Sequence, residues 1–128
     1  MKSAVATTAA PQAIGPYSQA IRAGSWVFVS GQLPLDLSGQ MLPGGVAKQT
    51  ETCLNNLAAI LAQSGLGMRD VVKTTVFMTD LRQFAAMNEV YARHFPVPCP
   101  ARATVQVAAL PKGAAVEIEA VAVAGAVG

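Results

Sequence analysis

The chain alternates between segments in which apolar residues recur at every second position and segments in which they recur at every third or fourth. Residues 26–31, WVFVSG, form a β-branched and aromatic run, and residues 17–22 alternate more weakly. Segments 70–78, 101–108 and 116–123 also have the two-residue period. Neighbouring side chains of a strand point to opposite faces, so this pattern predicts a strand in each segment.

Two other segments have the period of a helix. In residues 46–64 one face carries a stripe of mostly apolar side chains, and glycines follow as a stop signal. That stripe consists of Thr50, Cys53, Leu54, Leu57, Leu61 and Ser64. A second helix is predicted after Thr79 or Asp80, either of which can cap it. Its stripe consists of Leu81, Phe84, Met87, Asn88 and Tyr91. A series of prolines that starts at Pro96 ends this helix.

The order of these elements predicts a single domain over residues 1–128. Residues 34–45, PLDLSGQMLPGG, are dense in proline and glycine and predict a loop. Strands on either side of two helical segments indicate an α+β fold with one sheet and both helices on one face of it. The other face of the sheet then meets either water or a neighbouring subunit.

Composition favours the neighbouring subunit. Charged residues make up 12% of the chain, roughly half of the usual ~25%. A surface so poor in charge is expected to be partly buried against other copies. Apolar residues make up 52% but aromatic residues only 5%, so the core must be filled by alanine, valine, leucine and isoleucine.

Several classes of function have little support in the sequence. The net charge is +2 and the basic residues are scattered singly, which argues against nucleic-acid binding. Cys53, Cys99 and His94 have no metal-ligand spacing, so no zinc site is expected. The N-terminal segment lacks the apolar stretch of a signal peptide, and no run of ~18 apolar residues could span a membrane. We therefore expect a cytoplasmic protein with reduced thiols.

The last two predicted strands each carry a polar face. Arg102, Thr104 and Gln106 alternate with an apolar row, and Glu117 and Glu119 do the same. We expect these polar rows to share the face without helices. One interpretation is a structural arginine–glutamate pair at a subunit interface, since an isolated buried charge is costly. The other is a pocket in which the arginine binds a planar anion and a glutamate handles a proton. The residue pattern leaves both open.

Motifs along nearly the whole chain resemble those of the RidA (YjgF) family of reactive-intermediate deaminases. They are IGPYSQAI at 14–21, VFVSGQLPLD at 27–36, DVVKTTVFMTDLRQFAAMNEVY at 70–91, PARATVQVAALPKG at 100–113 and VEIEAVAV at 116–123. The last two together are highly specific for that family. The resemblance favours the pocket over the structural pair.

The resemblance implies a chorismate-mutase-like fold and a homotrimer with its sheets packed inward. It places active sites in the clefts between subunits. Members hydrolyse 2-imino acids, or their enamine tautomers, to 2-keto acids and ammonia without a cofactor. Such imines are released by pyridoxal-phosphate-dependent dehydratases that act on serine and threonine, which gives this protein an expected functional link to those enzymes.

The resemblance also implies roles for individual residues. Arg102 corresponds to the arginine that binds the substrate carboxylate, and Glu117 to the acid that handles water; Tyr17 is the third predicted catalytic residue. The predicted substrate-binding positions are Arg102, Tyr17, Ser30, Gly31, Asn88 and Thr104. One departure is Thr104, where many members have a cysteine. No metal ligand is predicted.

Other functions remain as alternatives. The same arginine could serve a trimeric protein that binds or senses 2-keto acids without turnover. A ribonuclease activity attached to some relatives has little support from the scattered basic residues. Glu117 and Glu119 lie ~6.6–6.8 Å apart as alternate positions of one strand, a spacing that glycosidases use. A chain this small and poor in aromatic residues argues against a sugar cleft.

Overall fold

A computed structural model describes residues 1–125 of the chain. They form one six-stranded sheet and two α-helices, with strand order β1-β2-β3-β6-β4-β5. The elements are β1 (Lys2–Val5), β2 (Ala20–Ala23), β3 (Trp26–Gln32), α1 (Val46–Gln63), β4 (Val71–Met78), α2 (Phe84–Ala92), β5 (Ala101–Gln106) and β6 (Val116–Val123). The pairing of β4 with β5 is parallel, and the other pairings are antiparallel. The predicted α+β fold, with two helices and a single mixed sheet, is confirmed.

Most predicted elements lie where the pattern placed them, and the differences have local causes. β1 was not predicted, because only its last residue, Val5, is buried. β2 begins at Ala20 rather than at residue 17, since residues 15–19 form a loop that starts at a glycine with φ +122°. Before α2 the chain makes a 3₁₀ turn (Leu81–Gln83), in which the Asp80 side chain accepts a hydrogen bond from the Arg82 amide at 3.0 Å.

The core lies between the sheet and the helices. Leu57 and Ile60 of α1, Met87 of α2 and Val76 and Ile118 of the sheet are all 0% exposed. Each such side chain contributes about 1.5–3 kcal/mol by leaving water. Both helices pack on the same face of the sheet, as predicted from the order of elements. Within residues 1–125 no helix has both the length and the apolar character needed to cross a membrane.

The opposite face of the sheet carries exposed apolar side chains. Trp26 and Phe28 of β3 are each 47% exposed, and their rings stack with centroids 6.5 Å apart. In the register they pair with Val123 and Val121 of β6, which therefore share this face. No element among the described residues covers it. We call this surface the open face.

Candidate active site

The predicted site residues fall into two groups on opposite faces of the sheet. In the parallel β4–β5 ladder, Arg102 pairs with Thr74, which is 1% exposed beneath the helices. In the β4–β6 ladder, Glu117 pairs with Phe77 and Glu119 with Thr75, a row that alternates with the buried residues of β4. Paired residues share a face, so Arg102 lies on the helix side and both glutamates lie on the open face.

The prediction that Arg102 shares the face without helices is therefore wrong. Alternation shows which residues of β5 share a face, but it does not show which face a helix covers. β5 is an edge strand, and α2 presents polar and aromatic groups at this corner, so a polar row can lie beneath it. Among the described residues Arg102 contacts no carboxylate, which rules out an arginine–glutamate pair within one chain.

One face of α2 fixes the position of the Arg102 guanidinium. Phe84, Asn88 and Tyr91 recur at helical spacing and so lie on the same face of α2. An Arg102 Nη1 hydrogen donates to Asn88 Oδ1 at 2.7 Å. The guanidinium carbon lies 4.7 Å from the Tyr91 ring centroid and 5.4 Å from that of Phe84, within cation–π range. These contacts hold the plane of the guanidinium and leave its other N–H groups without a partner in the described chain. We call this group the arginine cluster.

Thr104 adds an unsatisfied hydroxyl to the arginine cluster. It lies two residues beyond Arg102 on the same face of β5. Its Oγ1 is buried and has no hydrogen-bond partner among residues 1–125. A buried hydroxyl left unpaired costs about 1–3 kcal/mol. Both Thr104 and Arg102 therefore offer hydrogen-bonding capacity at the edge of the sheet.

The neighbouring Tyr91 is held in its neutral form. Its hydroxyl lies 2.6 Å from Thr74 Oγ1. Burial raises the pKa of the Tyr91 phenol above its usual value, and the Thr74 hydrogen bond and the Arg102 charge only partly oppose this effect. The Arg102 guanidinium therefore faces an uncharged aromatic ring.

The second group lines a cleft of about 920 Å³ on the other side of the molecule. Four predicted site residues meet there: Tyr17, Ser30, Gly31 and Glu117. Arg102, Asn88 and Thr104 do not line it. Sequence reasoning missed several of its lining residues, which lie in loops: Ile14, Leu33, Leu35, Leu37, Ser38 and Lys112. For the apolar members, the sequence signal was the presence of large aliphatic side chains in loop segments that are otherwise rich in proline, glycine and polar residues.

Gly31 makes room for the Glu117 carboxylate. A Cβ atom built on Gly31 would lie 2.4 Å from Glu117 Oε2 and 2.9 Å from its carboxyl carbon. β3 has a register shift between Val29 and Gln32, which brings Gly31 against β6 at this point. The resemblance placed Gly31 among the substrate-binding positions. In the folded chain the approaching group is the carboxylate of Glu117.

The environment of Glu117 favours its protonated form. Burial, and to a lesser extent the negative charge of Glu119, raises the pKa of the Glu117 carboxyl above its ordinary value. Glu117 has no salt-bridge or hydrogen-bond partner among the described residues. A carboxyl whose pKa is raised in this way suits proton transfer.

Cys53 lies beneath the sheet and is fully buried. Burial raises the pKa of its thiol, which therefore stays neutral.

Tyr17 borders the cleft on a loop that is tied to β3. Its side chain is 54% exposed, and its hydroxyl accepts a hydrogen bond from the Ile14 amide at 3.4 Å. Ser30 Oγ donates to the Ser18 carbonyl at 2.6 Å, and the Ser30 amide donates to the Gln19 carbonyl at 2.9 Å. Ser30 therefore positions the Tyr17 loop. Within residues 1–125 no three His, Cys, Asp or Glu side chains lie close enough to hold a metal ion.

Comparison with known proteins gives the same family as the motifs. Residues 7–124 match the family model described as Endoribonuclease L-PSP. A 2-iminobutanoate/2-iminopropanoate deaminase of Mus musculus is 48% identical over 126 residues, covering 98% of this chain and 93% of the mouse protein.

Solved structures agree with this match. RidA from an Antarctic Psychrobacter has a TM-score of 0.90 at 45% identity, covering 94% of this chain and 98% of that one. TdcF of E. coli, solved with bound serine, has a TM-score of 0.88 at 45% identity with the same coverage. With motifs, family model and structure in agreement over almost its full length, the chain belongs to the RidA (YjgF) family.

Proposed function

We propose that this protein hydrolyses reactive 2-imino acids, or their enamine tautomers, to 2-keto acids and ammonia without a cofactor. The reaction takes place in clefts between the copies of a homotrimer. The mouse relative with 48% identity is named for this activity, which supports the substrate class. The observation that carries the proposal is the division of the site into two incomplete halves on opposite faces of one chain.

Each half has chemistry that the other lacks. The arginine cluster offers a planar fork of donors suited to a carboxylate, together with the Thr104 hydroxyl. The cleft offers Glu117, a carboxyl with a raised pKa, and Tyr17. A second copy is needed to bring an Arg102 edge over a Glu117 cleft. β5 is an edge strand and the open face is apolar, which makes both accessible to a neighbouring copy.

Each reactive group of a 2-imino acid has a counterpart in one of the two halves. Its carboxylate binds the Arg102 fork, which places the electrophilic C=N carbon at the cleft. Glu117 orients a water molecule and accepts its proton as the water oxygen bonds to that carbon. Glu117 then returns that proton to the nitrogen, which gives a carbinolamine. It next carries the hydroxyl proton of the carbinolamine to the same nitrogen, and the C–N bond breaks and ammonia leaves as the C=O bond forms. Tyr17 offers a further hydroxyl to the bound acid. The electrophile is already reactive, so positioning and one proton carrier suffice.

The proposed activity is tested with imines made in place. A pyridoxal-phosphate-dependent dehydratase acting on serine or threonine releases them, and ammonia and keto-acid formation are followed with and without this protein. We expect keto-acid release to accelerate in proportion to added protein. If the rate does not change, the protein is not an imine hydrolase, and 2-keto acid binding without turnover becomes the favoured function.

Mixing two impaired variants tests the division of the site. Co-expressed Arg102→Lys and Glu117→Gln chains form mixed trimers, in which some sites combine an intact Arg102 of one copy with an intact Glu117 of another. Random assembly of a cyclic oligomer predicts about a quarter of the parental activity. Sizing and mass spectrometry establish that mixed assemblies form. Mixed trimers with no more activity than either variant alone would show that both residues act from the same chain.

Gly31→Ala tests the close approach of Glu117. The added methyl overlaps the far end of a flexible side chain, so we expect the carboxylate to move and the fold to remain. Displacement of a catalytic group by about 1 Å is expected to cost on the order of 100-fold in kcat/KM. Steady-state kinetics and a thermal melt check both expectations. Gly67→Ala is the matched control, because a Cβ there meets nothing within 4 Å. Parental activity in Gly31→Ala would show that the position of Glu117 is unimportant.

A further inference from the structure

The cleft is also lined by apolar side chains that the proposed reaction does not use. Its lining includes the polar residues Glu117, Tyr17 and Ser30 and the aliphatic residues Ile14 and Leu37. Ile14 is 79% exposed and Leu37 60% exposed in the single chain. Their exposed surfaces border the cleft and are available to a bound molecule. At about 920 Å³ the cleft is near the top of the usual ~300–1,000 Å³ range, so space remains beyond a short imino acid.

The loop that carries Leu37 is built as a rigid unit. Asp36 Oδ1 accepts hydrogen bonds from the Ser38 amide and hydroxyl, at 2.9 and 2.7 Å, and from the Gln40 amide at 2.9 Å. The Asp36 amide donates back to the Gln40 carbonyl at 2.9 Å. At the base of the loop, Asn56 of α1 donates to the Leu35 carbonyl at 3.0 Å. The loop therefore presents Leu37 in a fixed place rather than as a mobile tip.

A lysine that also lines the cleft holds this loop by a hydrogen bond. Lys112 Nζ donates to the Gly39 carbonyl at 2.7 Å. Lys112 itself has φ 59° and ψ 22°, a left-handed conformation that non-glycine residues rarely take. The Lys112 turn leads directly into β6, which carries Glu117. The hydrogen bond thus fixes the distance between the aliphatic loop and the strand of the proton carrier.

We propose that Ile14 and Leu37 form a specificity wall that contacts the aliphatic side chain of the bound acid, with Lys112 as the positioning residue that holds the wall in place. This inference rests on the proposed function, because it assigns the polar lining residues of the same cleft to the reacting carbon. It gives the protein a preference for acids with longer aliphatic side chains over the three-carbon acid. A hydrophobic contact discriminates by about 10–200-fold per methylene group.

Binding of 2-keto acids tests the wall separately from turnover. Calorimetry of the assembled protein compares pyruvate with the keto acid derived from leucine. We expect Leu37→Ala to weaken binding of the leucine-derived acid about 10-fold and to leave pyruvate within about 3-fold. Lys112→Met, which keeps the aliphatic stem and loses the donor, should move affinity in the same direction. Val97→Ala is the control, since Val97 is 90% exposed and lies outside the cleft lining.

Kinetics then separate the two proposals. An L-amino-acid oxidase, with O2 as the oxidant and catalase to remove the hydrogen peroxide, generates imines from alanine, norvaline and leucine. With these substrates Leu37→Ala should raise KM for the two longer imines and leave kcat unchanged. If the protein binds the keto acids selectively but turns over no imine, the proposed function is wrong and the specificity wall is supported. An equal loss of affinity for both keto acids in Leu37→Ala, or no change in either, overturns the wall whatever the turnover.

Discussion

Replacing Arg102 by lysine is expected to lower kcat/KM for 2-imino acids by about 2–4 kcal/mol, or roughly 30- to 1,000-fold. Lysine keeps the positive charge, but it loses the planar fork that aligns a carboxylate. It also loses the Asn88 hydrogen bond and the two ring faces that hold the guanidinium plane. The substrate carbon is then no longer held in line with the attacking water.

Three measurements complete the Arg102→Lys experiment. Steady-state kinetics give the loss, and a thermal melt with a sizing run shows whether the fold and assembly persist. Arg93→Lys is the matched control, because Arg93 pairs with Glu89 at 3.1 Å on an exposed surface. If Arg102→Lys retains parental kcat/KM, Arg102 does not clamp the substrate. If the assembly dissociates, Arg102 is an interface residue first.

Glu117→Gln is expected to lower kcat by about 100-fold or more while binding of 2-keto acids persists. The amide keeps the shape that fits against Gly31 and loses the ability to accept the proton of the attacking water. A protein that only binds 2-keto acids would have no turnover for this substitution to lower. Calorimetry with a 2-keto acid and single-turnover kinetics measure the two effects. Unchanged turnover would exclude Glu117 as the proton carrier, and Glu119 would be the next candidate.

The same substitution has a pH-dependent effect on stability, with a definite sign. Burial raises the pKa of Glu117 in the folded chain, so the unfolded chain ionises at lower pH. The raised pKa of Glu117 therefore adds to the free energy of unfolding of the parent at pH values below the pKa of this group in the unfolded chain. This contribution is lost as the pH rises through its pKa in the folded chain. Glutamine does not ionise. The melting temperature of Glu117→Gln relative to the parent should thus increase from acidic to neutral pH. A constant difference across that range would contradict the raised pKa.

Sequence periodicity predicted the elements better than their orientation. α1 and β6 lie almost where the apolar pattern placed them, because each has one face in the core. The prediction of which face of β5 carries Arg102 was wrong, because the position of α2 above Arg102 is a tertiary contact that no sequence period reveals. The Glu117–Gly31 contact depends on a register shift in β3, which alternation does not show either.

The candidate residues were found unevenly for the same reason. Motif resemblance supplied Tyr17, Glu117 and Arg102, although the pattern alone could not say that Arg102 and Glu117 lie on opposite faces of one chain. The aliphatic cleft residues, Ile14 and Leu37, were missed because they lie in loops, where neither strand nor helix period applies. Their role depends on long-range contacts such as the Lys112–Gly39 hydrogen bond.

The single parallel pairing seen in residues 1–125, between β4 and β5, has a consequence for how the molecule forms. α2 is the crossover between these two strands, so the arginine cluster is contained in residues 84–104, with Arg102 and Asn88 only 14 positions apart. The cleft instead requires β6 to pair with β3, whose paired residues, such as Trp26 and Val123, lie most of the chain length apart. Contacts between distant positions close slowly because of loop entropy. We expect pulse-labelling hydrogen exchange to show amides of β4 and α2 protected before those of β3, so that a nascent chain acquires its proposed anion clamp before its proposed proton carrier.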